Sequence, residues 1–262
     1  MEKALYISRL SDFKFWRAEH SRIYFGNEFC DRLIPSEEEL GRALSFAAGR
    51  GLGFTLLTTF CTDKNLLSYK KLFDLLSQSK ADSEIVINDW GLLKIAKNYP
   101  FDLVLGRLLN KQKRGPRIMG VIERLPELMR ERFRKSGING YFSAFLSDCG
   151  VKRVELDNLL QGISLDEFRG RGIYCSLYTP FGYITVSRSC PHRYRRDLSP
   201  NAAVDSICRK ECLENRYWLR HPQMPVPLIS KGNAVFFENK IIPEPILHEG
   251  DIVNRIVYEV DA

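Results

Sequence analysis

The sequence predicts an α/β fold of the TIM-barrel type, a complete or partial barrel of βα units, with a cysteine-rich segment near its C-terminal third. Three observations lead there. Short apolar runs alternate with longer amphipathic ones through the first two thirds of the chain, the pattern of parallel strands with helices returning between them. Four or more such units follow one another. The 262 residues, 44% hydrophobic and 27% charged, suffice for one large globular domain or two small ones, which excludes a disordered chain, a collagen and a disulfide miniprotein.

The elements follow in order. Strands are expected at Arg22–Gly26, Gly53–Leu57, Glu84–Asn88, Asp102–Gly106 and Lys152–Leu156, each an apolar run between polar or glycine residues. Helices are expected from Ser36 to about Ala48, with Ser36 as N-cap and Glu39 completing a capping box, and then at Leu66–Ser77, Trp90–Lys97 and Leu125–Lys135. After Gly172 two runs, Gly172–Tyr178 and Tyr183–Val186, read as a hairpin around a Thr-Pro-Phe-Gly turn. An irregular stretch rich in Cys and Arg runs from Ser187 to about Arg220. Prolines at 222, 225, 227, 243 and 245 punctuate short strands around Ala234–Phe237, before a closing strand at Arg255–Tyr258. No repeat or linker divides the chain, so residues 1–262 are read as a single barrel-like domain in which 172–220 is a hairpin plus cysteine-rich segment.

Thirty-nine Lys and Arg against 32 Asp and Glu give a net charge of +7, which favours anionic partners such as RNA, phosphorylated metabolites or an acidic protein. No apolar stretch is long enough to span a membrane, and the N-terminal residues lack the apolar core and cleavage site of a signal peptide; the expected location is the cytoplasm.

Seven cysteines in a reducing compartment point to metal ligation or core packing rather than disulfides. Cys190, Cys208 and Cys212 fall close together among Arg and Lys, which are poor core companions. Cys208 and Cys212, in Cys-x3-Cys spacing, share a turn or a helical face, and thiolates are the soft ligands of iron–sulfur clusters and of zinc. Cys30 and Cys175 both qualify as a fourth ligand. His192 is a further option for zinc, although structural zinc sites more often use two close ligand pairs. Cys61 and Cys149 read as packing residues.

Two segments carry a family resemblance. Tyr24-Phe-Gly-Asn-Glu-Phe-Cys30 looks like the N-terminal segment ending in Cys, and Gly182–Cys190 followed by Cys208-Arg-Lys-Glu-Cys212 is similar to the second signature, of the UbiV-like branch of the collagenase-like peptidase family U thirty-two, an anaerobic ubiquinone-biosynthesis type. Gly106–Asn110 and Gly150–Leu156 lie between them in the expected order. The resemblance implies a barrel-like fold with a 4Fe–4S cluster on Cys30, Cys190, Cys208 and Cys212, leaving Cys175 a spare thiol. It implies oxygen-independent hydroxylation of an aromatic quinone precursor, with prephenate as a conceivable oxygen donor and a second family member as heterodimer partner. Asn88–Gly91 and Lys111–Arg117 have no counterpart in the pattern.

Other chemistries find less. The chain has no His-Glu-x-x-His and no Gly-x-Ser-x-Gly, and its four His, at 20, 192, 221 and 248, form no helical metal pair, so peptidase activity is not expected. Gly49–Gly53 ends a helix and precedes a strand, the reverse of a dinucleotide loop. If a βα barrel forms, Asn27, Glu28, Asn88, Asp89, Arg107, Asn110 and Asp157 sit at strand C-terminal ends. Arg107 and Asn110 are the expected catalytic pair that orients an aromatic carboxylate or phenolate; Asp89 serves equally well as a helix cap. The basic run Lys111–Arg117 and the group Arg193, Tyr194, Arg195 and Arg196 favour the alternative of tRNA or rRNA base hydroxylation. A third reading is a non-catalytic binding subunit organised by its metal.

Overall fold

In the computed structural model, which describes residues 1–79, 82–194, 207–248 and 250–260, the chain runs β1 (Glu2–Ile7), β2 (Arg22–Gly26), α1 (Glu37–Ala48), β3 (Gly53–Leu57), α2 (Asp63–Ser77), β4 (Ser83–Ile87), α3 (Trp90–Ala96), β5 (Asp102–Leu105), α4 (Met119–Ile122), α5 (Glu127–Arg134), α6 (Gly140–Asp148) and β6 (Val151–Asp157). It continues through β7 (Tyr174–Thr179), β8 (Phe181–Val186), α7 (Pro191–Tyr194), β9 (Tyr217–Leu219), β10 (Leu228–Lys231), β11 (Ala234–Glu238), α8 (Glu244–His248) and β12 (Val253–Glu259). Among these residues eight parallel strands close a barrel in the order β1, β12, β7, β6, β5, β4, β3, β2, and four antiparallel strands form a second sheet in the order β8, β11, β10, β9. The expected TIM-barrel-like fold is present. Arg195 and Arg196 lie outside the described residues.

Strand alternation explains the packing. On β1, Leu5 and Ile7 face out toward the helices while Ala4 and Tyr6 face the barrel axis, and β3, β4 and β5 repeat this two-residue period. The outward layer joins Ile23, Phe54, Leu56, Ile85 and Leu177 to Leu40 and Leu44 of α1 and Leu72 and Phe73 of α2. Each such side chain contributes about 1.5–3 kcal/mol on burial. α1 starts where the capping box places it: Glu39 N–H donates to Ser36 Oγ at 3.2 Å, and Ser36 N–H donates to Glu39 Oε2 at 2.8 Å.

The barrel axis is polar at both ends and apolar between them. At the strand N-terminal end Arg255 donates to both Glu84 oxygens, at 2.6 and 3.0 Å, and Arg22 donates to Glu2 at 2.8 Å. The middle holds Tyr24, Leu57, Val86, Val104, Tyr178 and Val257.

Four sequence expectations need correction. β7 and β8 do not form a hairpin: β7 pairs in parallel with β6 and β12 in the barrel wall, whereas β8 pairs with β11 in the small sheet. Both runs have strand periodicity, but the chain turns a corner at Thr179–Pro180 and leaves the barrel. The Pro-rich stretch after Pro222 leads into β10 of the sheet that caps the C-terminal end of the barrel. β1 and α6 are elements the sequence reading did not mark. α2 begins at Asp63, three residues before the expected start.

Candidate metal centre and adjoining pocket

Two buried guanidiniums determine how the barrel opens toward the small sheet. Arg107, fully buried, donates through Nε to Glu28 Oε2 at 3.0 Å, through Nη1 to Asp157 Oδ1 at 3.1 Å and Phe181 O at 3.3 Å, and through Nη2 to Glu259 Oε2 at 3.3 Å. Its face lies 3.8 Å over the Tyr178 ring. Arg114 donates to Asp157 Oδ2 and, at 2.9 Å, to the carbonyls of Asn110 and Arg107. β8 seals this end: Tyr183 N–H donates to Asp157 Oδ1 at 3.2 Å and Tyr183 Oη donates to Arg107 O at 2.9 Å.

The mouth is therefore a sealed ion-pair network, and several expected roles change with it. Arg107 is fully buried with its donors committed to Glu28, Asp157, Glu259 and the Phe181 carbonyl. Asn110 is buried and donates to Glu155 O at 3.0 Å, also away from any open pocket. Asp89 is the helix cap, its Oδ1 accepting from Gly91 N–H at 2.8 Å and Leu92 N–H at 3.1 Å. Asn88 holds the loop after β5, accepting from Leu108 N–H at 3.0 Å, and packs so closely over Gly106 that a Cβ there would stand 2.1 Å from its Oδ1. The run Lys111–Arg117 is not a uniformly exposed basic loop, because Gln112, Arg114 and Pro116 alternate inward between exposed neighbours.

Four thiols come together beside this seal. Cys30, Cys190, Cys208 and Cys212 all line one cavity of about 110 Å³, with Leu33 and Phe60 as apolar wall and Arg32, Arg188 and Arg193 among its polar residues. All seven cysteines are free. Among the described residues no three His, Cys, Asp or Glu side chains converge closely enough to hold a metal ion as they stand; the four thiols are spread around the walls of the cavity.

Three chain segments deliver these thiols. After β2, Asn27 Oδ1 accepts from Phe29 N–H at 2.9 Å and Cys30 N–H at 2.8 Å, folding the loop that presents Cys30. Cys190 precedes α7, and the backbone N–H groups of His192 and Arg193 are directed at its sulfur, as that of Arg32 is at Cys30. Cys212 lies in a 3-10 turn after Lys210, which adopts the left-handed backbone conformation (φ 61°), and packs against Gly232, where a Cβ would come within 3.4 Å of its sulfur. Asn233 joins two of the segments: its Nδ2 donates to Phe29 O at 2.6 Å and to Ser187 O at 2.7 Å.

Burial raises these thiols. It pushes Cys30 up to about 12 and Cys212 up to about 11, and it raises Cys190 against the opposing pull of the two N–H groups. Neighbouring sulfurs add to the rise, since a thiolate beside another thiolate is disfavoured. A metal binding here releases protons, as it does at thiol sites generally.

Cys175 is far from this group. It lies near the start of β7, at the end of the strand away from the small sheet, with its side chain in the apolar layer outside the barrel. His192 is also turned elsewhere, its Nε2 3.1 Å from Ser230 O and its ring 4.5 Å from that of Tyr217.

A second pocket shares Cys30, Leu33, Cys212 and Asn233 with the thiol cavity. Its other walls include the rings of Tyr6, Phe29 and Phe236, the charged groups of Arg9, Asp12 and Lys231, and Glu259. Arg9 donates to both Asp12 oxygens, at 3.2 and 3.3 Å, and to Leu213 O at 2.6 Å, tying β1's loop to the turn that bears Cys212. Burial lifts Glu259 to about 8 against the pull of Arg107. The sequence reading did not single out Arg9, Lys231, Asn233 or Glu259. A lone Asn after Lys-Gly signals only a turn, and Glu259 is one of many acids in the chain.

No protein-family model matches this chain, and no curated protein does. Among solved structures it is similar to the U32 peptidase Mk0906, at a TM-score of 0.53 and 13% identity, over 100% of this chain and 93% of that one. The two share a fold. A class V chitinase from Pseudomonas fluorescens Pf-5 (TM-score 0.35, 9% identity, 98% of this chain and 94% of that one) and a family 18 N-acetylglucosaminidase from Paenibacillus barengoltzii (TM-score 0.31, 10% identity, 100% and 95%) are more distant. Among the described residues no helix is long and apolar enough to cross a membrane.

Proposed function

We propose that this chain is a UbiV-like member of the U thirty-two family, a 4Fe–4S protein that takes part in oxygen-independent hydroxylation of an aromatic substrate together with a related partner subunit. One observation carries the reading: four thiols from three chain segments line a single cavity that shares two of those thiols with a pocket walled by aromatic rings. The donor set fits the group, since sulfur is the ligand type that iron–sulfur clusters require. When bound, such a cluster supplies one-electron redox chemistry.

The protein's own residues set the environment. Cys30, Cys190, Cys208 and Cys212 are the ligands, and Asn27 and Asn233 hold the loops that bear Cys30 and Cys190. Tyr6, Phe29 and Phe236 give a planar ring its apolar contact, while Lys231 at the pocket wall gives a phenolate or carboxylate its counter-charge. Arg107 is a positioning residue, keeping Glu28 and Glu259 in place, and Asn110 fixes β6 beneath it.

The test is anaerobic incubation of reconstituted protein with a phenolic quinone-ring precursor and prephenate, in an extract that supplies the partner, with product read by mass spectrometry. Hydroxylated product is expected with the wild type and not with Cys212→Ala. Equal product from both would contradict the reading. Hydroxylation of a tRNA or rRNA base is the second reading. It rests on the net charge of +7, but it is less favoured now that Arg114 is committed to the barrel seal.

A further inference from the structure

Four cations gather around the opening of the thiol cavity. Arg32 follows the Cys30 loop, Arg188 and Arg193 flank Cys190, and Lys210 stands between Cys208 and Cys212. Arg32, Arg188 and Arg193 line the thiol cavity itself, and Arg32, Arg193 and Lys210 line a shallower pocket outside it together with Ile207 and Cys208. Cys208 is the thiol common to both, so the cation-lined outer pocket reaches directly to a metal-holding sulfur. Among the described residues that line these two pockets the acid is Asp31, 4.0 Å from Arg32 and within 3.4 Å of Asn65 Nδ2. The Arg32 side chain is 64% exposed, and Ile207, which lines the outer pocket with Arg32, Arg193 and Lys210, is 77% exposed.

The geometry points to a docking surface here for a small acidic protein of the one-electron-carrier class, with Cys208 beneath the contact. This rests on the cluster reading above. An exposed apolar residue sharing a pocket with several cations has the composition of a compact protein interface, in which apolar contact is buried and charged groups steer the partner. Contacts of carriers with their partners are small, short-lived and salt-sensitive, as a rim of flexible cations favours. Nucleic acid fits less well. A single-stranded RNA site offers aromatic rings for bases to stack on, and the outer pocket has Ile207 in that place. The other basic run, which would lengthen a track for a backbone, turns Gln112 and Arg114 inward.

The test uses iron-loaded full-length protein and a plant-type ferredoxin, a small acidic carrier, with binding read by surface plasmon resonance. Binding is expected at about 50 mM salt and at least tenfold weaker at about 300 mM, the range over which screening closes in on an exposed charged rim. The double variant Arg32→Glu/Lys210→Glu should weaken it by a similar factor, while Lys111→Glu/Lys113→Glu leaves it unchanged. Equal affinity in wild type and the Arg32→Glu/Lys210→Glu protein would overturn the inference. So would a tRNA that binds more tightly and is lost in the same variant. Iron is measured on every preparation first. A wild type that takes up no iron defeats the cluster reading, whereas iron-loaded protein without charge-dependent binding defeats only the docking surface.

Discussion

The side-chain amide of Asn233 donates to the carbonyl of Phe29 at 2.6 Å, and the same nitrogen reaches the carbonyl of Ser187 at 2.7 Å. One residue of the small sheet thus ties the loop that ends in Cys30 to the loop that leads to Cys190. Cutting that tie frees both loops and leaves two carbonyls without their shared donor. Asn233→Ala should cost about 1–3 kcal/mol, the usual penalty for orphaned buried polar groups. It should also lower iron uptake on reconstitution, whereas a purely structural tie would lower the melting temperature and leave iron per folded chain unchanged. Urea unfolding together with iron analysis separates the two.

Arg107 is the second pivot. Its replacement by Met leaves Glu28, Asp157 and Glu259 buried without their common cation. Removing one partner of a buried ion pair costs about 3–5 kcal/mol. The account expects Arg107→Met to unfold at clearly lower urea, or to fail to accumulate. A variant as stable as wild type and impaired only in turnover would return Arg107 to the substrate-orienting role the sequence suggested.

Two buried acids give the stability opposite slopes with pH. Against the upward push of burial, Arg255, Arg22 and Arg153 hold Glu84 at about 2, below its ordinary 4.5. A depressed acid contributes fully above its unfolded value, so that stability is lost as pH falls from about 4.5 toward 2. Burial raises Glu155 to about 8, and a raised acid does the reverse: its contribution is complete below about 4.5 and is lost as pH rises through 8. Urea midpoints followed from acid to mildly alkaline pH should therefore fall at both ends. Because Glu259, also raised to about 8, contributes to the same limb, Glu155→Gln should make the alkaline limb shallower and leave the acid limb in place; an unchanged alkaline limb would contradict the assignment.

Gly106 is where a small residue matters most in the barrel seal. A Cβ there would stand 2.1 Å from Asn88 Oδ1, so Gly106→Ala must displace that side chain and break its bond to Leu108 N–H. Overpacking of this kind costs about 1–3 kcal/mol. A lowered melting temperature checks it, and the exposed Gly115→Ala, which meets nothing nearby, serves as the control.

The barrel was legible because its signals are local. The capping box at Ser36 and Glu39, and the apolar runs at Gly53–Leu57 and Asp102–Leu105, need no distant partner to be read. β7 and β8 show the limit: each run has strand periodicity, and nothing within them says that one pairs with β12 and the other with β11. The site divides the same way. Cys208 and Cys212 announce themselves by spacing, whereas the placing of Cys30 beside them depends on where the end of β2 falls relative to the small sheet. In the sequence Arg107 reads as a substrate-facing residue and Arg114 as part of an exposed basic run, and only the three acids at the C-terminal ends of β2, β6 and β12 explain why both are buried in ion pairs.

The central claim is that Cys30, Cys190, Cys208 and Cys212 form one iron–sulfur site. Iron, sulfide and zinc content, measured with an absorption spectrum on protein purified without oxygen, tests it most directly when wild type is compared with Cys30→Ala, Cys212→Ala and Cys175→Ala. The account predicts about four irons per chain in the wild type and in Cys175→Ala, and loss of iron in Cys30→Ala and Cys212→Ala. Stoichiometric zinc without iron, or iron that survives removal of Cys30 and disappears with Cys175, would contradict it.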